Sequence, residues 1–282
     1  MVNSLLLRFP PEITEHALLL ANPRDVASFA QTCRYARSLV YRSNDQHLWR
    51  QMFLLHPFDD PRATSLSPSG SLPDTHVNWM KELQRRFRAS RTISNLSSRP
   101  DGLLDALKTL LSIVHSALQV SSDSPSRVQS HDLVWLGHTF HAAKLYRVDT
   151  QGWSSEEQQC LAQLFCYVGW RDGIKSGAPR SKSRNEARGF VYDLRNYTRL
   201  NDYGPFLPDN TGGVSWKHVE YIITVIDRNL ADLGSMWEHT RPPRSLEALR
   251  AYSAPGVLKR DSKDWAGVEG IWRRYVSFMD YR

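Results

Sequence analysis

Apolar residues recur at the spacing of an α-helix along most of this 282-residue chain. In the clearest stretch, one helical face carries Leu103, Leu107, Leu110, Leu111, Val114 and Leu118. Similar faces occur within residues 26–33, 77–87, 161–168 and 219–233. Spacings of three and four residues place such side chains on one side of a helix, where they are buried against other elements. The chain is therefore expected to be mainly α-helical.

Capping residues predict where several of these helices begin. Asn22 followed by Pro23 is typical of a helix start, because the Asn side chain caps free N–H groups and proline needs no N–H partner there. Ser154 and Glu157 have the spacing of a capping box. The remaining predicted end residues are Asn44 or Asp45, Thr75 and Ser215 for helix starts, and Gly234 for a helix end.

The pattern divides the chain into three parts. Residues 5–56 are predicted to form a cluster of short helices, and residues 57–74, rich in Pro, Ser, Asp and Gly, a linker or surface loop. Residues 75–282 are predicted to form a larger, irregular helical region that contains a basic loop at 173–184. Its last residues, 270–282, alternate apolar and polar side chains and predict a short C-terminal strand.

Composition limits the compartment and the class of partner. The three cysteines, Cys33, Cys160 and Cys166, are too few to build a disulfide framework, which favours the reducing cytoplasm or nucleus. No apolar run approaches the roughly 20 residues of a membrane span. The first residues lack the basic lead and apolar centre of a secretory signal. A net charge of +7 is compatible with nucleic acid or with an acidic protein partner.

The histidines do not predict a metal site. His138 and His141 are three residues apart and His131 is near them, but only Asp132 is close enough in sequence to add a further ligand. Surface or core imidazoles are the preferred interpretation. The sequence therefore predicts no metal and no cofactor.

Other reactive residue types also have simpler roles. The acidic pairs at 59–60 and 156–157 are interpreted as helix caps, because carboxylates favour helix N-termini. Cys33 is interpreted as an inert thiol on an apolar stripe. Glycine-rich phosphate loops and the Gly-x-Ser-x-Gly motif are absent from the sequence. No catalytic residue is predicted, and the chain is expected not to be an enzyme.

Four short motifs follow one another near the N-terminus. They are Phe-Pro-Pro-Glu-Ile at 9–13, Pro-Arg-Asp-Val at 23–26, Thr-Cys-Arg at 32–34, and Leu-Trp-Arg at 48–50. In this order and spacing they resemble the F-box family, a helical module that docks onto the Skp adaptor of cullin-type ubiquitin ligases. Ala36 stands where that family often has Trp, and Tyr35 is expected to fill part of that volume.

The C-terminal half resembles a group of fungal F-box proteins, chiefly of basidiomycete type. The residues that carry this resemblance lie at 187–193, 203–206, 216–220 and 265–274. That group continues into a β-rich domain after a Phe-x-Asp-Tyr-Arg segment, which here occupies residues 278–282. The resemblance implies a product that is truncated relative to that group.

The F-box resemblance implies a partner and a binding surface. A bundle of about fifty residues buries little surface by itself, so it is expected to share its apolar core with the adaptor. The residues implied in adaptor binding are Phe9, Pro10, Ile13, Leu18, Val26, Phe29, Cys33, Leu39, Leu48 and Trp49. Docking onto the acidic adaptor is expected to be steered by Arg24, Arg34 and Arg37.

The implied function is that of a non-catalytic substrate receptor in an SCF-type (Skp–cullin–F-box) ubiquitin ligase. The chain would reach the cullin scaffold through the Skp adaptor and recruit an unidentified protein substrate. A simpler interpretation stays open, since the same apolar faces would serve as the core of an ordinary helical domain.

A second alternative is a basic, nucleic-acid-binding helical protein. The basic stretches at 85–91 and 171–188, the second flanked by aromatic residues, have the composition of single-strand binding surfaces. In the simpler interpretation, the stretch at 171–188 is a solvated loop with an exposed helix face, and the stretch at 85–91 is the polar face of an amphipathic helix. On that helix the residues expected to point outward are Lys81, Arg85, Arg86 and Arg88.

Overall fold

A computed structural model gives the fold of the chain. It describes residues 9–42, 46–64, 77–96, 100–117, 130–145, 148–168, 180–209 and 211–231. The α-helices in these ranges are α1 (Pro11–Leu19), α2 (Pro23–Thr32), α3 (Arg34–Tyr41), α4 (His47–Leu55), α5 (Pro61–Thr64), α6 (Trp79–Ser94), α7 (Leu103–Ser116), α8 (His131–Ala142), α9 (Ser155–Val168), α10 (Arg180–Val191) and α11 (Trp216–Ala231).

The predicted mainly α-helical fold is confirmed. Within the described ranges, the β-type pairing is an isolated antiparallel bridge between Phe206 and Val214, and there is no named strand. No described helix is both long enough and apolar enough to cross a bilayer. The strand predicted at 270–282 lies outside the described residues.

Local capping chemistry positions several helices as the sequence predicts. The Asn22 side chain accepts a hydrogen bond from the Arg24 backbone N–H (3.0 Å), and Pro23 opens α2. Ser154 and Glu157 form the reciprocal capping box of α9, at 2.7 and 3.2 Å. Both caps are built from residues a few positions apart, which is why the sequence alone predicts them.

Other predicted helix ends differ from the structure. In the basic stretch predicted as a loop at 173–184, residues 180–184 belong to helix α10. Residues 173–179 lie outside the described residues. Helix α6 begins at Trp79 with Asn78 as its cap, whereas Thr75 lies outside the described residues. Helix α4 starts after Gln46, whose backbone is left-handed (φ 49°), and the predicted caps at 44 and 45 are likewise not described.

Helices α1 to α4 and helix α6 close around a first hydrophobic cluster. Its buried members are Leu18, Val26, Ala30, Val40, Leu48, Trp49, Met52, Phe53, Phe58, Trp79 and Leu83. Trp49 is fixed by two contacts: its indole N–H donates to the Val40 carbonyl (2.7 Å), and its ring stacks on Tyr41. A buried Trp usually needs a hydrogen-bond partner for its N–H, and Trp49 of α4 finds that partner on α3, so the two helices are linked at this point.

The segment predicted as a linker or surface loop begins with buried residues. Phe58 and Asp59, inside the range expected to be a surface loop, are both buried. Phe53, Phe58 and Trp135 make ring contacts in series, with centroids 5.2 and 5.3 Å apart. The N-terminal helices are therefore packed directly onto α8, and residues 65–74 of the predicted linker lie outside the described residues.

A second hydrophobic cluster lies among α6, α7, α8 and α9. It includes Ala89 and Ile93 from the C-terminal half of α6, while Trp79 and Leu83 from the first half belong to the first cluster. Helix α6 thus joins the two clusters. Helix α11 packs against α9 and α10 and completes the described part of the fold.

Candidate partner-binding surface

Helix α1 has an inverted pattern of exposure. Its buried residues are Thr14 and Leu18, four positions apart. On another side, Ile13 is 57% exposed, Ala17 is exposed and Leu20, at its C-terminal cap, is 85% exposed. A helix at a protein surface normally turns its apolar side inward. Here a hydroxyl side chain faces the interior beside Leu18, while Ile13, Ala17 and Leu20 face outward.

The exposed apolar residues continue into the segment before the helix. Phe9 is 52% exposed, and Pro10, also exposed, provides the N-cap carbonyl that accepts from the Ile13 N–H (3.1 Å). Pro11 opens the helix, and the proline ring fixes the backbone angle that a first helical turn requires. We call the set Phe9, Ile13, Ala17 and Leu20 the α1 stripe.

The residues implied in adaptor binding do not all lie on one surface. Phe9, Pro10, Ile13 and Cys33 are exposed, and Phe29 and Leu39 are partly buried. The remaining four, Leu18, Val26, Leu48 and Trp49, are buried in the chain's own first cluster. Direct contact with a partner is therefore open only to the exposed and partly buried residues of the set.

The predicted steering residues are accessible. Arg24, Arg34 and Arg37 are all exposed, on α2 and α3. Ala36 is fully buried and Tyr35 is partly buried. The position where the F-box family often has Trp is thus occupied by a small side chain inside the packed bundle.

Cys33 differs from its predicted role. It was expected to be inert on an apolar stripe, but it is exposed and caps α3, where its Sγ accepts a hydrogen bond from the Ala36 backbone N–H (3.4 Å). That hydrogen bond lowers the pKa of the thiol. Burial instead raises the pKa of Cys160, and it raises the pKa of Cys166 to about 12.

Cys33 is therefore expected to be alkylated first by iodoacetamide at neutral pH, at least about tenfold faster than the other two thiols. The thiolate is the reactive form, and only this thiol is both exposed and stabilised by a hydrogen bond among the three. Peptide mass spectrometry over a time course measures all three rates in one sample. Equal labelling of Cys33 and Cys160 would show that exposure and capping do not set the reactivity.

A buried polar centre that the sequence does not predict lies beneath these helices. Arg86, expected to point outward, is only 2% exposed. Its guanidinium donates to the Asp132 carboxylate, and its Nε lies 3.4 Å from Glu82 Oε1. It also lies over the Phe53 and Phe58 rings, 5.1 and 4.8 Å from their centroids. This side chain joins α6, α4 and α8.

The second half of the polar centre caps α8. Asp59 accepts hydrogen bonds from the Ser130 hydroxyl and from the His131 backbone N–H (2.8 Å). Ser130, which is fully buried, accepts in turn from the Leu133 N–H (3.2 Å). Burial raises the pKa of Asp132 to about 6, and the neighbouring Arg86 opposes the rise. The interpretation of Asp59 as a cap is correct, but the helix it caps begins about seventy residues later.

Asp59→Ala is expected to lower the free energy of unfolding by about 2 kcal/mol, since it removes a cap and leaves the buried Ser130 hydroxyl without its acceptor. Urea unfolding at neutral pH measures the change. Asp60→Ala is the comparison: Asp60 also accepts a backbone hydrogen bond, from Arg62 (3.0 Å), but it is only partly buried, so the expected loss is about 1 kcal/mol or less. Equal losses in the two variants would show that burial of the Asp59 cap adds no stability.

The structure brings together no obvious chemical centre in the described ranges. No three His, Cys, Asp or Glu side chains there are grouped so as to hold a metal ion. His131, His138 and His141 are all exposed. Arg85 pairs with Glu82 (2.8 Å), so with Arg86 buried, two of the arginines in the basic stretch at 85–91 are already engaged by acids.

Comparison of the chain with protein-family models, with curated proteins and with solved structures finds no match. The F-box resemblance therefore rests on the sequence motifs at residues 9–50 alone.

Proposed function

We propose that this chain is a non-catalytic substrate receptor of an SCF-type ubiquitin ligase, which binds the Skp adaptor through an F-box at its N-terminus. The single observation that carries the proposal is the α1 stripe, which leaves Ile13 and Leu20 largely in water on a well-formed helix. Exposed apolar faces of this kind are typical of helices that are completed by a partner. The motif order at residues 9–50, which resembles the F-box family, supports the Skp adaptor as that partner.

Burial of the stripe supplies the driving force in this proposal. Transfer of one large aliphatic side chain from water to an apolar interface contributes about 1.5–3 kcal/mol. Arg24, Arg34 and Arg37 add long-range attraction toward an acidic adaptor, which raises the association rate more than the affinity. The partly buried Phe29 and Leu39 extend the contact on α2 and α3.

The proposed role involves no reaction at the chain's own residues. The protein would hold a target protein near a ubiquitin-charged enzyme and so raise its effective concentration, working in the cytoplasm or the nucleus. The cullin scaffold would be reached only through the adaptor.

Co-expression with a Skp adaptor, followed by affinity purification of the full chain, tests the proposal. Stoichiometric recovery of the adaptor supports it. Failure to recover the adaptor, together with a salt-sensitive gel shift on single-stranded RNA, would replace it with the nucleic-acid-binding alternative. Deletion of the N-terminal helices is an unsuitable negative control, because Phe53 packs against Trp79 (5.5 Å) and its loss would expose α6.

A further inference from the structure

An open cavity of about 480 Å³ lies between the N-terminus of α2 and the outer side of α6. Trp49 and Leu83, both buried, form its floor together with Ala27. Phe87, which is partly exposed, lies at one edge. The interior of the cavity is therefore mostly apolar and wide enough for at least one large side chain.

The rim of this cavity is basic. Arg24 contributes from α2, and Arg88 and Arg91 contribute from α6, and all three are exposed. Arg88 donates to the Gln84 amide oxygen (3.1 Å), while neither Arg24 nor Arg91 forms an ion pair within the described part of the chain. No acidic side chain of the described residues lines the cavity. We call this site the basic cleft.

We infer that the basic cleft binds a carboxylate-rich segment of a target protein and takes up one aliphatic or aromatic side chain of that segment between α2 and α6. The inference rests on the proposed function, because it assigns the class of protein that the receptor recruits. Charge complementarity carries it: three arginines around an apolar floor attract a segment that alternates acids with an apolar anchor. The N-terminal end of α2 adds partial positive charge at the same rim.

The floor of the cleft favours a peptide over a nucleic acid. Base stacking needs an exposed aromatic face. The Trp49 ring is buried and stacked on Tyr41, and Phe87 makes an edge contact with His56 (5.1 Å). The Trp49 ring therefore offers no free face to a base, and Phe87, 37% exposed, is left as a single accessible ring, whereas one peptide side chain needs only the apolar floor.

The test is direct binding by the full chain, without the adaptor. Fluorescein-labelled peptide pools with a central Leu or Phe are prepared in two forms, one flanked by Asp and Glu and one by Asn and Gln. Anisotropy titrations compare the native chain with Arg88→Glu/Arg91→Glu. The matched control is Arg34→Glu/Arg37→Glu, which changes the same charge at the same helical spacing on α3, outside the cleft.

The acidic pool is expected to bind the native chain and to lose at least about tenfold in affinity in the Arg88/Arg91 variant, but not in the Arg34/Arg37 control. Equal binding of both pools, or equal losses in both variants, would overturn the inference. Tighter binding of a single-stranded RNA probe than of the acidic pool would overturn it in favour of a nucleic-acid surface.

Adaptor capture by the same variants separates this inference from the proposed function. The adaptor surface is assigned to the α1 stripe with Arg24, Arg34 and Arg37, so Arg88→Glu/Arg91→Glu is expected to retain the adaptor, whereas Arg34→Glu/Arg37→Glu is expected to slow its capture. If it loses the adaptor and the native chain binds no acidic peptide, the cleft belongs to the adaptor interface and the inference fails while the proposed function stands. If acidic peptides bind but no adaptor is captured, the proposed function fails and the cleft remains a peptide site.

Discussion

Arg86→Met is expected to lower the free energy of unfolding by about 3–5 kcal/mol at pH 8. Arg86 is buried against Phe53 and Phe58 and neutralises Asp132, which is itself buried. Methionine keeps part of the apolar contact but leaves the carboxylate buried without its cation. Urea unfolding followed by tryptophan fluorescence measures the loss.

The pH dependence of this loss has a definite sign. Burial already raises the pKa of Asp132 to about 6 in the native chain. Without the opposing guanidinium the pKa of Asp132 would rise further. A carboxyl whose folded pKa lies above its unfolded pKa loses stabilisation as the pH rises through the folded value. The gap between the native chain and Arg86→Met should therefore be wider at pH 8 than at pH 5.

The double variant Arg86→Met/Asp132→Asn provides the control for this prediction. Removing the second charge eliminates the uncompensated carboxylate, so the double variant should be more stable at pH 8 than Arg86→Met alone. If Arg86→Met lowers the free energy of unfolding by less than about 1 kcal/mol, and equally at both pH values, the Arg86–Asp132 pair contributes little to the packing of α6 against α8.

Ile13→Asp is expected to weaken binding of the Skp adaptor by about 100-fold or more, the range seen when a central apolar anchor is lost. Ile13 lies on the exposed side of α1, so the folded chain itself should change by no more than about 0.5 kcal/mol. Biolayer interferometry with immobilised adaptor measures the affinity, and urea unfolding measures the stability.

Two control variants separate loss of adaptor binding from a general effect of an added charge. Ile226→Asp makes the same change at a residue on α11 with nearly the same exposure, 52% against 57%, and should leave adaptor binding intact. Leu18→Asp, at a buried position of α1, should unfold the N-terminal cluster. If Ile13→Asp and Ile226→Asp bind the adaptor equally well, the α1 stripe is not the docking surface.

Local chemistry explains which parts of the fold the sequence predicts. The start of α2 at Asn22–Pro23 and the Ser154–Glu157 box of α9 depend on neighbours a few residues away. Long-range contacts decide the rest. The composition near Asp59 is that of a loop, yet its carboxylate caps α8, and nothing in the local sequence specifies that partner.

The burial of Arg86 could have been predicted from the periodicity of the sequence. It lies three residues after Leu83 and seven after Trp79, so the periodicity of α6 places it on the buried face. Its charge favours the opposite assignment, and only the distant Asp132 resolves the conflict. For helix α1 the periodicity does not predict a buried face, because its apolar residues lie all around the helix. The sequence therefore does not determine which of them face the core.

In the proposed complex the Skp adaptor covers the α1 stripe. Isothermal titration of the full chain with purified adaptor, at several temperatures, measures this contact. We expect saturable one-to-one binding with a dissociation constant of about 1 µM or tighter and a negative heat-capacity change, as burial of apolar surface requires. An absence of binding heat at every temperature, with both proteins folded, would contradict it.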